Sequence, residues 1–253
     1  MADPVIHVPS RSRLKRVQGG RDRLYPFLER SATFDLSSWS DDFQGDTLNG
    51  VYQSTASGTG AVAAAISTGV VNGAILLDAG SDDAGRSDLS IGLHYRGDQN
   101  ATIWVRMSLN TLASSKFEVG FTDVISGTDA GAVNAKATPT WTATDAVVLC
   151  RDTTDDTSVT LLGVAAGTVS AVEDLDPVIA AATYYYYGVT LRDGAAKGFI
   201  LDAGGGVLDE TAWITGAVTA TVLLTPWVFV QNRSAAQRTL TVDYMTAYQR
   251  RTT

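Results

Sequence analysis

The stretch Leu89-Ser90-Ile91-Gly92-Leu93-His94-Tyr95-Arg96-Gly97-Asp98-Gln99-Asn100-Ala101-Thr102-Ile103-Trp104-Val105-Arg106-Met107-Ser108-Leu109 decides the fold class. Leu89, Ile91, Leu93 and Tyr95 alternate with Ser90, Gly92, His94 and Arg96. Successive side chains of a strand point to opposite faces, so this period of two marks a half-buried strand. Gly97-Asp98-Gln99-Asn100 has the composition of a turn. Ile103, Val105, Met107 and Leu109 then resume the alternation against Thr102, Trp104, Arg106 and Ser108, which puts Trp104 on the outer face. The two runs together predict a hairpin.

The same signal recurs in both directions. Strands are predicted over 116–122 (Phe117, Val119 and Phe121 inward), 146–151, 158–162, 184–192, 197–202, 226–231 and 239–249. Asp193-Gly194-Ala195-Ala196 and Ala203-Gly204-Gly205-Gly206 supply turns, and Glu173-Asp174-Leu175-Asp176 before Pro177 reads as a loop. Composition agrees: of the 27 acidic residues 23 are Asp and only four are Glu, and Asp favours turns where Glu favours helices. The fold class is therefore all-β, a two-sheet antiparallel sandwich or barrel. One cysteine, Cys150, excludes an intramolecular disulfide, and with two histidines it cannot build a structural zinc cluster. The longest apolar stretch, 218–230, is broken by threonines and Pro226 and is too short to span a bilayer. No apolar segment follows the basic N-terminus, so no signal peptide is expected.

Charge divides the chain. Residues 1–30 carry seven cations against three acids, a net +4, and the remainder carries 12 against 24, a net −12. This reads as an extended N-terminal docking arm, 1–33, attached to an acidic β-sandwich, 34–253. Pro4, Pro9, Gly19, Gly20 and Pro26 exclude a long helix in the arm. Its expected partner-docking residues are Arg11, Arg13, Lys15, Arg16, Arg21 and Arg23 for charge, with Leu24, Tyr25, Phe27 and Leu28 as apolar anchors. Nucleic acid is disfavoured as the partner, because no recognition fold or stacking platform accompanies the cations.

Two bookends carry a family resemblance. Asp41-Asp42-Phe43-Gln44-Gly45-Asp46-Thr47-Leu48 resembles the opening strand of concanavalin-like, laminarinase-type jelly rolls. Val242-Asp243-Tyr244-Met245-Thr246-Ala247-Tyr248 is similar to their closing strand, and 186–194 resembles an internal hairpin. The resemblance implies a two-sheet jelly roll from about residue 34 to 250. It also implies, for catalytic relatives, a nucleophile and a general acid spaced Glu-x-Asp-x-Glu on one strand face.

That requirement is unmet, since Glu29, Glu118, Glu173 and Glu210 are all far apart in sequence. Replacing Glu118 or Glu173 by Gln is expected to leave the protein's role intact. His7 and His94 lie near no Gly-x-Ser-x-Gly elbow, His94 belongs to a polar strand face, and Cys150 follows an apolar run as a buried, inert thiol. Residues 81–88 and 152–156 cluster hard oxygen ligands, which leaves a structural calcium ion open, though neither matches an EF-hand. No other cofactor is expected. Two of Tyr184, Tyr185, Tyr186 and Tyr187 must face outward and, with Trp104, could stack on a sugar or a protein. The expectation is a non-catalytic virion structural protein, a capsid decoration, head-fibre or tail-associated subunit of a tailed bacteriophage. Its partners would be a capsid shell protein and further copies in a homo-oligomer; the alternative is a lectin-like glycan-binding module.

Overall fold

The computed structural model describes residues 36–70, 73–124 and 131–251. The arm, with Arg11, Arg13, Lys15, Arg16, Arg21, Arg23, Leu24, Tyr25, Phe27 and Leu28, lies outside the described residues. Two large antiparallel sheets form a jelly-roll sandwich, and no α-helix occurs among the described residues.

The larger sheet runs in spatial order β15 (Val207–Glu210), β14 (Ala195–Leu201), β13 (Tyr185–Arg192), β6 (Thr102–Leu109), β17 (Thr239–Arg250), β4 (Ile75–Asp78) and β3 (Val62–Ile66). Beside β4, β1 (Leu36–Asp41) pairs with the other half of β17, Leu36 opposite Arg250 and Asp41 opposite Met245. The smaller sheet runs β12 (Thr168–Leu175), β11 (Val159–Ala165), β10 (Ala146–Asp152), β7 (Ser115–Thr122), β16 (Thr225–Asn232), β5 (Arg86–Ser90) and β2 (Ala56–Ser57). A short ladder of β8 (Val133–Ala135) and β9 (Thr140–Trp141) stands apart.

The alternating positions build one continuous core. Ile103, Val105, Met107 and Leu109 of β6 meet Phe117, Val119 and Phe121 of β7 between the sheets. The closing strand β17 sits centrally between β6 and β4 and pairs directly with β1, as the bookends predict. The β13–β14 connection is a two-residue turn, Asp193 (φ 51°) and Gly194 (φ 77°). Positive φ at both central residues matches the strand twist and is adopted most readily by Gly, Asn and Asp.

Three expectations are corrected. The predicted hairpin of 89–95 with 102–109 does not form: β5 belongs to the smaller sheet and β6 to the larger. Gly92 (φ 96°) interrupts the run, Tyr95 pairs with Leu224, and a 3-10 turn at Gly97–Gln99 carries the chain across. Period two records a half-buried strand without naming its partner. Residues 42–48 are not the opening strand, which is β1 immediately before them. There Asp41 Oδ1 accepts from Phe43 N, at 2.7 Å, folding Asp41-Asp42-Phe43 into a turn that buries the Phe43 ring. Glu173 and Asp174 lie in edge strand β12 rather than in a loop, since Leu175 and Ala171 anchor that strand to the core.

One end of the sandwich is tied by a buried carboxylate. Arg233 donates to Asp152 through Nε (2.8 Å) and Nη2, and Thr154 adds its N–H and hydroxyl. Burial pushes the Asp152 carboxyl up, but the Arg233 and Thr154 contacts outweigh it and hold the group below the usual carboxylate range. A depressed carboxylate stabilises the fold above its unfolded pKa, near 4, and that contribution is lost as pH falls through the folded value. Urea midpoints are therefore expected to fall as pH drops from about 4, and to fall less steeply in Asp152→Asn. An equally steep fall in the variant would assign the acid sensitivity elsewhere.

Candidate functional site

The outward face of the smaller sheet is the first place to seek chemistry, because β7 presents Lys116 and Glu118 there by alternation with Phe117 and Val119. Both are fully buried. Ala132, Val133 and Ala143, from the segment that carries β8 and β9, pack down on Val148, Cys150, Leu162, Val164, Trp227 and Phe229 as a second apolar cluster. Trp227 and Phe229 stack with centroids 5.9 Å apart.

Within this cover Glu118 is a structural counter-ion. Its carboxylate accepts from Ala132 N (2.9 Å), Val133 N (3.1 Å) and Trp227 Nε1 (2.9 Å) and pairs with Lys116 Nζ at 2.8 Å. Lys116 also donates to the Val133 carbonyl and lies 5.3 Å from the Phe229 ring centre. Two of these contacts, from Ala132 N and Val133 N, come from the segment that closes the face, and the other two come from neighbours on the sheet itself. Gly131 (φ 78°) lets the chain pass: a Cβ there would come within 2.8 Å of the Glu118 carboxylate. Further along, Lys136 bonds Asp156, Ser158 Oγ (2.8 Å) and the Ser158 carbonyl (3.1 Å), fastening the cover to the sandwich. The expectation that Glu118→Gln is harmless is corrected by this burial, which sequence alone did not reveal.

No second carboxylate shares the outward face of β7, whose other positions are Gly120 and Thr122. Glu173, near the sheet edge, accepts from Ala212 N at 2.9 Å, and Glu210 pairs with Lys197 at 3.0 Å. His94 is exposed, Cys150 is buried, and burial pushes its thiol well up. Neither Asp-rich segment gathers a ligand set: among the described residues no three His, Cys, Asp or Glu side chains converge. Asp82 instead accepts from Thr59 N, Asp88 from Thr55, and Asp156 from Ser158. The turn at 79–82 is held by Asn232, whose Nδ2 donates to the carbonyls of Ala79 (3.2 Å), Gly80 (2.9 Å) and Asp82 (2.8 Å).

The larger sheet presents the opposite picture on its outer face. Tyr185 and Tyr187 are buried, whereas Tyr184 and Tyr186 stay partly exposed on either side of Arg106, whose guanidinium lies 4.3 and 5.9 Å from their ring centres. Arg106 also pairs with Asp243. Trp104 does face outward as predicted, but it is nearly covered. Phe199 packs on it at 5.5 Å and Gly188 leaves the room, since a Cβ there would meet the indole at 2.4 Å. Lys197 lies 5.1 Å over Phe199. The result is a set of rings and cations on one sheet face, with an acceptor at Asp243. A groove of about 530 Å³ also follows β1, lined by Phe43 to Asp46 and by Ile66 to Val70.

No family model matches this chain, and no characterised protein matches it by sequence. Solved structures do match by fold. Peanut lectin shares 9% identity, with 86% of this chain and 99% of that chain covered at a TM-score of 0.62. The Bacillus licheniformis β-glucanase shares 14%, with 85% and 99% covered at 0.56. LamAcat from Zobellia galactanivorans shares 12%, with 87% and 99% covered at 0.59. Lectins and glucanases appear side by side, and identities this low establish fold alone. The chain has the concanavalin-like jelly-roll fold.

Proposed function

We propose that this chain is a non-catalytic structural protein of a virus particle, carried as a capsid decoration, head-fibre or tail-associated subunit of a tailed bacteriophage. The sandwich faces outward and residues 1–33 dock it on a shell protein or on neighbouring copies. The observation that carries the non-catalytic part is the sealed face: the one glutamate at the centre of a sheet is locked to Lys116 and three N–H donors beneath the chain's own cover. The particle part is supported by charge, since an arm of +4 on a body of −12 suits tethering an acidic body to a larger assembly. Mass spectrometry of purified particles, with a density map to place the chain, tests this reading. Stoichiometric recovery with the particles is expected. Recovery only in the soluble fraction of the lysate would overturn it.

A second reading, a glycan-binding module, is favoured by the partly exposed Tyr184 and Tyr186 around Arg106. Exposed rings stack on the apolar faces of sugars. If that reading holds, Tyr186→Ala weakens binding on a glycan array about tenfold or more without changing the urea midpoint by more than about 1 kcal/mol. Equal signals from wild type and variant would remove these rings from consideration.

A further inference from the structure

Along one side of the sandwich both sheets end in an unpartnered edge strand. β12 pairs only with β11 and β15 only with β14 among the described residues. The two edges adjoin, for Asp176 N donates to Asp209 Oδ2 at 2.9 Å and Ala212 N to Glu173 Oε1 at 2.9 Å. Open edges are pairing templates, and proteins ordinarily protect them by cover, charge or brevity. Here the edge exposes Val169, Val172, Val207 and Leu208, at 41–56%, with Val178 at 92% beside them. Single exposed apolar residues need no explanation, but five gathered near two adjoining edges are the kind of surface that a partner covers. Among them stand Glu173, Asp174, Asp176 and Asp209, none of which forms a salt bridge among the described residues.

We propose that residues 11–28 of one copy dock along the β12/β15 edge of a second copy. That segment matches the edge in both respects, with Arg11, Arg13, Lys15, Arg16, Arg21 and Arg23 for the carboxylates and Leu14, Val17, Leu24, Tyr25, Phe27 and Leu28 for the valines and leucine. It is also the part of the chain with opposite charge: two bodies of −12 repel each other, so contact between copies at this edge requires the arm. A copy's own edge is also within the arm's reach, and docking there is the outcome that a monomeric wild type would reveal. Its arm joins the sandwich at β1 beside β17, and β6, β13 and β14 lie between there and β15. Thirty-five residues at roughly 3.3 Å each reach about 100 Å, ample for a neighbour. Backbone pairing with an open edge contributes affinity, and side chains contribute register. Because arm and edge are different surfaces, the contact is heterologous and propagates from copy to copy into a ring or a row. This deepens the docking role proposed for residues 1–33 by naming the surface they meet on a second copy, and it does not require the particle.

The test uses full-length protein and light-scattering mass at low and high salt. Wild type is expected to exceed the monomer mass in low salt and to approach it near 1 M, where the screening length is about 3 Å. An edge variant, Val172→Lys/Asp174→Lys/Asp176→Lys, and an arm variant, Lys15→Glu/Arg16→Glu/Arg21→Glu/Arg23→Glu, should each raise the apparent dissociation constant about tenfold or more. Circular dichroism identical to wild type is expected of both, since Val172, Asp174 and Asp176 are exposed and the substituted arm positions are outside the described residues. Mixing the two variants in equal amounts should restore association, because the unaltered arm of one meets the unaltered edge of the other and the reversed arm meets the reversed edge. Monomeric wild type at its highest soluble concentration in low salt would overturn the proposal. So would an association that the edge variant leaves unchanged, or a mixture that stays monomeric while both variants are folded.

Discussion

Glu118→Gln is expected to lower stability by about 3–5 kcal/mol, the range seen when one member of a buried ion pair is removed. The Lys116 ammonium would remain fully buried and would lose the carboxylate it now pairs with at 2.8 Å. The carboxamide has one acceptor oxygen, where the carboxylate now serves Ala132 N, Val133 N and Trp227 Nε1. At roughly 2–4 °C per kcal/mol for a chain of this size, the melting temperature should fall on the order of 10 °C. Lys116→Met combined with Glu118→Gln should recover part of the loss, since the buried ammonium is then removed together with its counter-ion. A Glu118→Gln protein that melts with wild type would show that the pair is hydrated and the face open.

Asn232→Asp is expected to have the second large effect. The wild-type amide supplies donors to the carbonyls of Ala79, Gly80 and Asp82, and a carboxylate supplies none while bringing a negative charge against three carbonyl oxygens. Each acceptor left bare costs about 1–3 kcal/mol, and charge repulsion adds to it, so the loss should exceed that of Asn232→Ala. Urea denaturation of the two variants provides the comparison, and equal midpoints would contradict it. The same contacts imply that calcium leaves the wild-type melt unmoved, because the amide already bonds the turn's carbonyls. A rise of several degrees on adding calcium would restore the ion-binding reading of 81–88.

The fold class was legible because alternation is a local property. Residues 102–109, 116–122 and 239–249 each announce a strand and its inner face, and the structure buries the predicted residues of 102–109 and 116–122 between the sheets. Strand partnership was not legible: nothing in Leu89 or Ile103 says that their strands join different sheets, since that follows from Gly92 and the bridge of Tyr95 to Leu224. β12 was hidden by its composition, an edge strand that alternates imperfectly because both its faces reach solvent in places. For the site, the absence of paired glutamates was visible in the sequence, but the role of Glu118 was not. Lys116 and Glu118 read as an ordinary polar face until Ala132 and Val133, distant in sequence, are seen to close over them. A Lys-x-Glu at period two beside apolar outward positions such as Val148 and Phe229 was the available signal, since charges next to apolar residues that need cover require internal partners.

Amide hydrogen exchange at Ala132 and Val133 tests the central claim, that this face is closed as part of the fold. Their N–H groups donate to Glu118 beneath the cover. If the cover belongs to the cooperative core, both amides exchange as slowly as Val119 and Gly120 of β7, through global unfolding. Exchange orders of magnitude faster than in β7, with the rest of the sandwich protected, would mean that the segment lifts away and bares Glu118, and the account of a sealed, non-catalytic face would be wrong.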